Sequence, residues 1–157
     1  RMSARTVLLL ATATLLTSPV AHAELGSTTT VNGDVPPGVP AKLVDLTVVT
    51  DTVQVDGDRL LVMQGVRKVG TRAPIHYHDH GGRTCVLKGT ITDFVEGLEP
   101  AIFPAGTCYD MPADTPMTAA NLGDEDVLLV DTFVLPPTEP TIIVLEPNWP
   151  DLADPTG

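Results

Sequence analysis

Between residues 43 and 135 the apolar residues come in short runs, many alternating with polar ones. The runs fall at 43–49, 52–55, 60–66, 75–78, 84–87, 90–95, 101–103, 108–111, 117–120 and 127–135. Val, Ile, Thr and aromatic residues recur in them, and these types fit a pleated, half-buried surface. Turn formers separate the runs: Gly57 between Asp56 and Asp58, the pair Gly81 and Gly82, then Gly89, Gly97, Gly106 and Gly123. No segment carries a sustained, capped apolar stripe at the 3.6-residue period. Short strands at this regular spacing predict an all-β sandwich or barrel.

The flanks read differently. Residues 24–41 are polar and rich in Pro and Gly, which predicts a flexible N-terminal arm, with the ordered barrel at 42–136. Residues 137–157 form a Pro-rich tail with one apolar run at 141–145, expected to pack as an edge strand on the barrel or on a second subunit. A homodimer is therefore expected. The last residues, from Pro150 to Gly157, are expected to be loose. Residues 1–23 read as a signal peptide: Arg5 is the basic start, 7–16 is the apolar run, and Ala21 to Ala23 is a small-x-small cleavage site. That run is shorter than the roughly 20 residues a membrane span needs. The expected destination is secreted or periplasmic, with no membrane attachment after cleavage.

Cleavage would leave 134 of 157 residues, enough for one domain with a core. It would also remove Arg1 and Arg5, taking the formal charge from −11 to −13. Such a chain repels phosphate backbones, so nucleic acid is excluded as a partner. Six aromatic residues leave little surface for stacking bases. Cys85 and Cys108 form a disulfide candidate, because exported cysteines pair more often than they stay free. The alternative is a pair of small buried hydrophobes. Ser27 is the sole serine after the leader, which leaves no Ser/His/Asp catalysis to build.

With the leader gone, His76, His78 and His80 are the remaining histidines, at alternate positions of one segment. Alternate residues of a strand share a face, about 6.6 Å apart along the chain, so two imidazoles can converge on one ion at about 2.0–2.1 Å each. A polar loop that happens to hold histidines is the plainer alternative.

The segment around these histidines resembles the first motif of the cupin superfamily, the small jelly-roll barrels. Gly70, His76, His78 and Gly89 stand at the motif's spacing, while its glutamate falls at Gly82 or Arg83. The second motif is matched by Pro104, Gly106, Pro112 and Asn121, with Met117 where the family usually has its last histidine. The resemblance covers about residues 60–135. It implies a single-domain cupin jelly-roll barrel with a divalent transition metal (Fe, Cu, Mn, Ni or Zn) held by His76 and His78. It also implies a small organic molecule as ligand, with dioxygenase-, isomerase- or lyase-like chemistry. A cupin that binds a ligand or metal without turnover is the competing reading.

Three groups compete to complete the coordination. His80 has the right parity if the strand continues, Met117 could offer a thioether, and Glu96 or Asp79 a carboxylate. Tyr109 and Met111 share strand parity and could face the cavity, Tyr109 as a catalytic proton donor or acceptor and Met111 as a substrate contact. Arg72 and Arg83 flank the histidines and could clamp a ligand carboxylate as a bidentate fork.

Overall fold

A computed structural model describes residues 25–149. The leader-like segment 1–23 and the end of the tail from Pro150 onward lie outside the described residues. In chain order the strands are β1 (Val39–Pro40), β2 (Val44–Val53), β3 (Arg59–Arg67), β4 (Thr71–Arg72), β5 (His76–Tyr77) and β6 (Gly82–Lys88). They continue as β7 (Thr90–Val95), β8 (Ala101–Pro104), β9 (Cys108–Met111), β10 (Met117–Ala120), β11 (Val127–Leu135) and β12 (Ile143–Val144). All described elements are strands, as the alternating pattern and turn spacing predict.

Two curled sheets face each other. One has the order β2-β3-β11-β6-β9; the other runs β1-β4-β10-β5-β12, with β7 paired to β10 and β8 to β7. Period-2 alternation puts every second residue of β3 inside: Arg59, Leu61, Met63, Gly65 and Arg67 are buried while their neighbours are half-exposed. Leu61, Val86, Leu129 and Phe133 from the first sheet meet Ile91, Val95 and Met117 from the second in one apolar cluster. Cys85 and Cys108 stand opposite each other in the β6–β9 pair and are joined as a disulfide.

The N-terminal segment, expected as a flexible arm, follows a hydrogen-bonded path instead. Asn32 (φ 53°) and Gly33 (φ 85°) take the left-handed conformations that a two-residue hairpin turn requires, closing Val31 against Asp34. Val31 is buried with Ile75, Tyr77 and Leu145 in a second, smaller cluster. The Asn32 side chain donates to the carbonyls of Val95 and Leu98. Farther on, β1 runs parallel to β4. Pro and Gly here shape a strap around the barrel. The apolar run at 141–145 does supply an edge strand, β12, which pairs with β5 of the same chain.

Candidate functional site

The barrel interior forms a partly open cavity of about 190 Å³. Its apolar wall includes Met63, Met111, Leu129 and Phe133, and its polar groups include Arg67, His76, His78, Thr84, Tyr109 and Asp131. Strand register assembles these groups. Met63, Asp131, Thr84 and Tyr109 form one transverse row, each the cross-strand partner of the next on β3, β11, β6 and β9.

His76 and His78 enter from the opposite sheet. Strand parity sends both rings to the cavity, and sends Ile75 and Tyr77 to the smaller apolar cluster. Their ring centroids lie 4.9 Å apart with the planes nearly perpendicular. His76 Nδ1 is 2.7 Å from the Pro74 carbonyl oxygen, and His78 Nδ1 is 2.5 Å from that of Thr141. A carbonyl can only accept, so each ring carries its proton on Nδ1 and keeps a lone pair on Nε2. Burial, then the neighbouring His78 ring, pushes the His76 pKa down to about 3. Burial likewise lowers that of His78. Both rings are neutral at physiological pH. His78 Nε2 is buried without a hydrogen-bond partner among the described residues.

The remaining candidates separate. Tyr109 is buried, stacked on Phe103 with centroids 4.6 Å apart, and lines the cavity. Burial, then the fields of Asp93 and Asp131, raises its phenol pKa, so it serves as a hydrogen-bond donor rather than a base. Met111 also lines the cavity.

His80 does not join the pair. The chain turns at Gly81 (φ 68°), which leaves His80 exposed and paired with Glu139. Met117 stands opposite His76 in register, but it belongs to the apolar cluster and is not among the cavity-lining residues. Arg72 is buried in a bidentate pair with Glu146 at 2.7 and 2.8 Å, so its fork is already filled. Arg83 points outward to Asp110 in solvent. Glu96 accepts from the Asn32 backbone N–H, and Asp79 lies outside the cavity lining.

The fate of the glutamate position has a packing cause. A Cβ on Gly82 would come within 2.7 Å of both Met111 Cε and Phe133 Cε1. Those two side chains occupy the space a larger residue at Gly82 would need. Among the described residues no cluster of three His, Cys, Asp or Glu side chains forms a metal site.

Among the cavity residues that escaped the reading of the sequence are Arg67, Thr84 and Asp131. Asp131 lies inside the barrel with part of its surface open to the cavity, and accepts from the Thr84 hydroxyl at 2.6 Å. Burial raises its pKa, against the pull of Thr84 and Arg67. The available signal was parity: Arg67 shares the inward phase of Leu61 and Met63, and Asp131 that of Leu129 and Phe133. A charged residue on the apolar phase of a strand marks an interior polar site.

No protein-family model matches the chain, and no curated protein matches its sequence. Several solved structures are similar. One is an uncharacterized conserved protein with a double-stranded β-helix domain from Klebsiella pneumoniae, at 22% identity over 69% of this chain and 90% of that one, with a TM-score of 0.52. Another is a cupin-like protein from Thermotoga maritima, at 19% identity over 71% of this chain and 86% of that one, with a TM-score of 0.53. A third is the DMSP lyase DddQ from Ruegeria pomeroyi, at 18% identity over 58% of this chain but 45% of that one, with a TM-score of 0.51. The chain has the double-stranded β-helix fold of the cupins, the jelly-roll barrel that the paired motifs implied.

Proposed function

We propose that this cupin barrel binds a small organic molecule in its cavity and acts on it with the help of a divalent transition metal held by His76 and His78. The observation that carries the reading is the shared state of the two rings: neutral, Nδ1 hydrogen-bonded to a backbone carbonyl, and open to one cavity. Outer-shell anchoring of this kind orients metal-ligating histidines. The buried, unpartnered Nε2 of His78 fits a ligating role. Among the described residues no third His, Cys, Asp or Glu joins the pair, so further coordination would come from water or the bound molecule. A metal bound there would act as a Lewis acid on that molecule. Tyr109 would donate a hydrogen bond to it, and Met63, Leu129 and Phe133 would exclude water from its apolar part. Dioxygenase-, isomerase- and lyase-like chemistry are the classes the cupin resemblance suggests. Fe, Cu, Ni and Zn suit imidazole, whereas Mn would depend more on oxygen ligands from water or the bound molecule. Export to the periplasm or medium and pairing into a homodimer belong to the same proposal and rest on the sequence alone.

A binder without turnover is the second reading. One observation favours it: Met111 and Phe133 fill the space beside Gly82, where the motif's carboxylate would stand. Elemental analysis of the purified protein beside His76→Ala and His78→Ala tests the metal. Near-stoichiometric metal in the wild type and less than a tenth of it in each variant is expected. Equal content in all three proteins would rule out this site. Turnover of phenolic and keto-acid substrates by the loaded wild type then separates the two readings.

A further inference from the structure

Arg67 is 5% exposed and ends the inward row of β3, lining the same cavity as His76 and His78. Among the described residues its guanidinium makes one hydrogen bond, from Nη1 to the Ala41 carbonyl oxygen at 2.5 Å. Its Nε is buried with no partner among the described residues. Arg72 Nε is likewise unpartnered, but the two other buried arginines of the barrel each have a carboxylate: Arg59 pairs with Asp51 and Arg72 with Glu146. A buried guanidinium is strongly disfavoured unless its charge and its donors are both answered.

Among the described residues Arg67 makes no salt bridge. Asp131 lines the same cavity and its field favours the Arg67 charge, but its carboxylate accepts from Thr84 and makes no ion pair with the guanidinium among the described residues. Burial lowers the Arg67 pKa to about 10, which leaves it protonated at neutral pH. The cavity thus holds a protonated guanidinium inside a protein of formal charge −11.

We propose that Arg67 is an anion subsite of the cavity, and that the molecule bound there is a small monocarboxylate with an apolar body. This rests on the cavity being the binding site argued above. A guanidinium with open donors pairs best with a planar carboxylate, through two parallel N–H···O bonds. Met63, Leu129 and Phe133 would hold the apolar part. A cavity of about 150 Å³ takes a benzene-sized ligand, so about 190 Å³ suits a body of roughly six to ten non-hydrogen atoms.

Calorimetric titration of the full chain, stripped of metal by chelation, with benzoate and its uncharged isostere benzamide tests the assignment. Benzoate should bind at least tenfold more tightly than benzamide. Arg67→Met should erase that preference, and Arg67→Lys should keep a weakened one. Equal binding of the two probes by the wild type would overturn the anion subsite while leaving the cavity as a binding site. Binding of neither would overturn both. The wild-type comparison decides the matter even if a variant fails to fold. The metal assay with His76→Ala and His78→Ala stands or falls separately.

Discussion

Buried ionisable side chains set the behaviour of this barrel at the residue scale, and they oppose one another. His76 and His78 stay neutral in the fold but take up protons when unfolded below about pH 6.5. Their depressed pKa values contribute stability present above pH 6.5 and lost as pH falls toward 3. Asp93 runs the other way, because its pKa is raised from 3.8 to about 7. The native state binds its proton more tightly, so that contribution is present at low pH and lost as pH rises through that window. Asp93→Asn removes the second slope and leaves the first. Its stability should rise with pH between 4.5 and 6.5 more steeply than that of the wild type, by up to about 1.4 kcal/mol per pH unit. Urea unfolding at several pH values measures this, and parallel curves for the two proteins would contradict it. None of these shifts was legible in the chain. The histidine cluster was visible because its residue type is rare here, whereas Asp93 is one of 20 acidic residues and only its inward phase on β7 distinguishes it.

Strands and their pairings carry the next level. Cys85 and Cys108 tie β6 to β9 across a sequence separation of 23 residues, beside the Thr84–Tyr109 pair of the cavity. A cross-link closing a loop of that length restricts the unfolded chain, which corresponds to about 3 kcal/mol. A Cys85→Ala, Cys108→Ala double variant should lose roughly that much in denaturant unfolding. A loss under about 1 kcal/mol would mean that the β6–β9 pairing holds without it. Gly82 shows the converse case, where a missing side chain matters. Gly82→Ala drives a methyl into Met111 and Phe133 and should destabilise by about 1–3 kcal/mol, the usual range for overpacking. An unchanged unfolding midpoint would show that the two side chains shift freely. Strand positions were legible from alternation and turn residues. The turn of the chain at His80 and Gly81 was legible only as a risk, since Gly81 and Gly82 can either end a strand or continue it.

For the molecule as a whole, both flanks of the barrel are part of the site's support. The Thr28 N–H donates to the Leu145 carbonyl, the Leu145 N–H donates to the Ile75 carbonyl, and Thr141 anchors His78. Glu146 closes this assembly, binding Arg72 through both carboxylate oxygens and accepting the Ile75 N–H. Arg72 holds the Glu146 carboxyl below its ordinary range. Glu146→Ala would leave a buried guanidinium without its partner, a change that typically costs about 3–5 kcal/mol. Glu139→Ala, which breaks the exposed pair with His80, should change stability by less than about 1 kcal/mol. Equal effects of the two variants on thermal unfolding would refute this ranking of burial over charge. From the sequence alone came the all-β class, the cupin likeness and the inward pair His76 and His78, because periodicity and motif spacing are local properties of the chain. The tertiary structure decided that His80, Met117, Arg72 and Arg83 lie apart from the cavity and that Arg67, Thr84 and Asp131 line it. Those outcomes depend on which strands become neighbours and which donors are already taken. Contacts between residues tens of positions apart settle both.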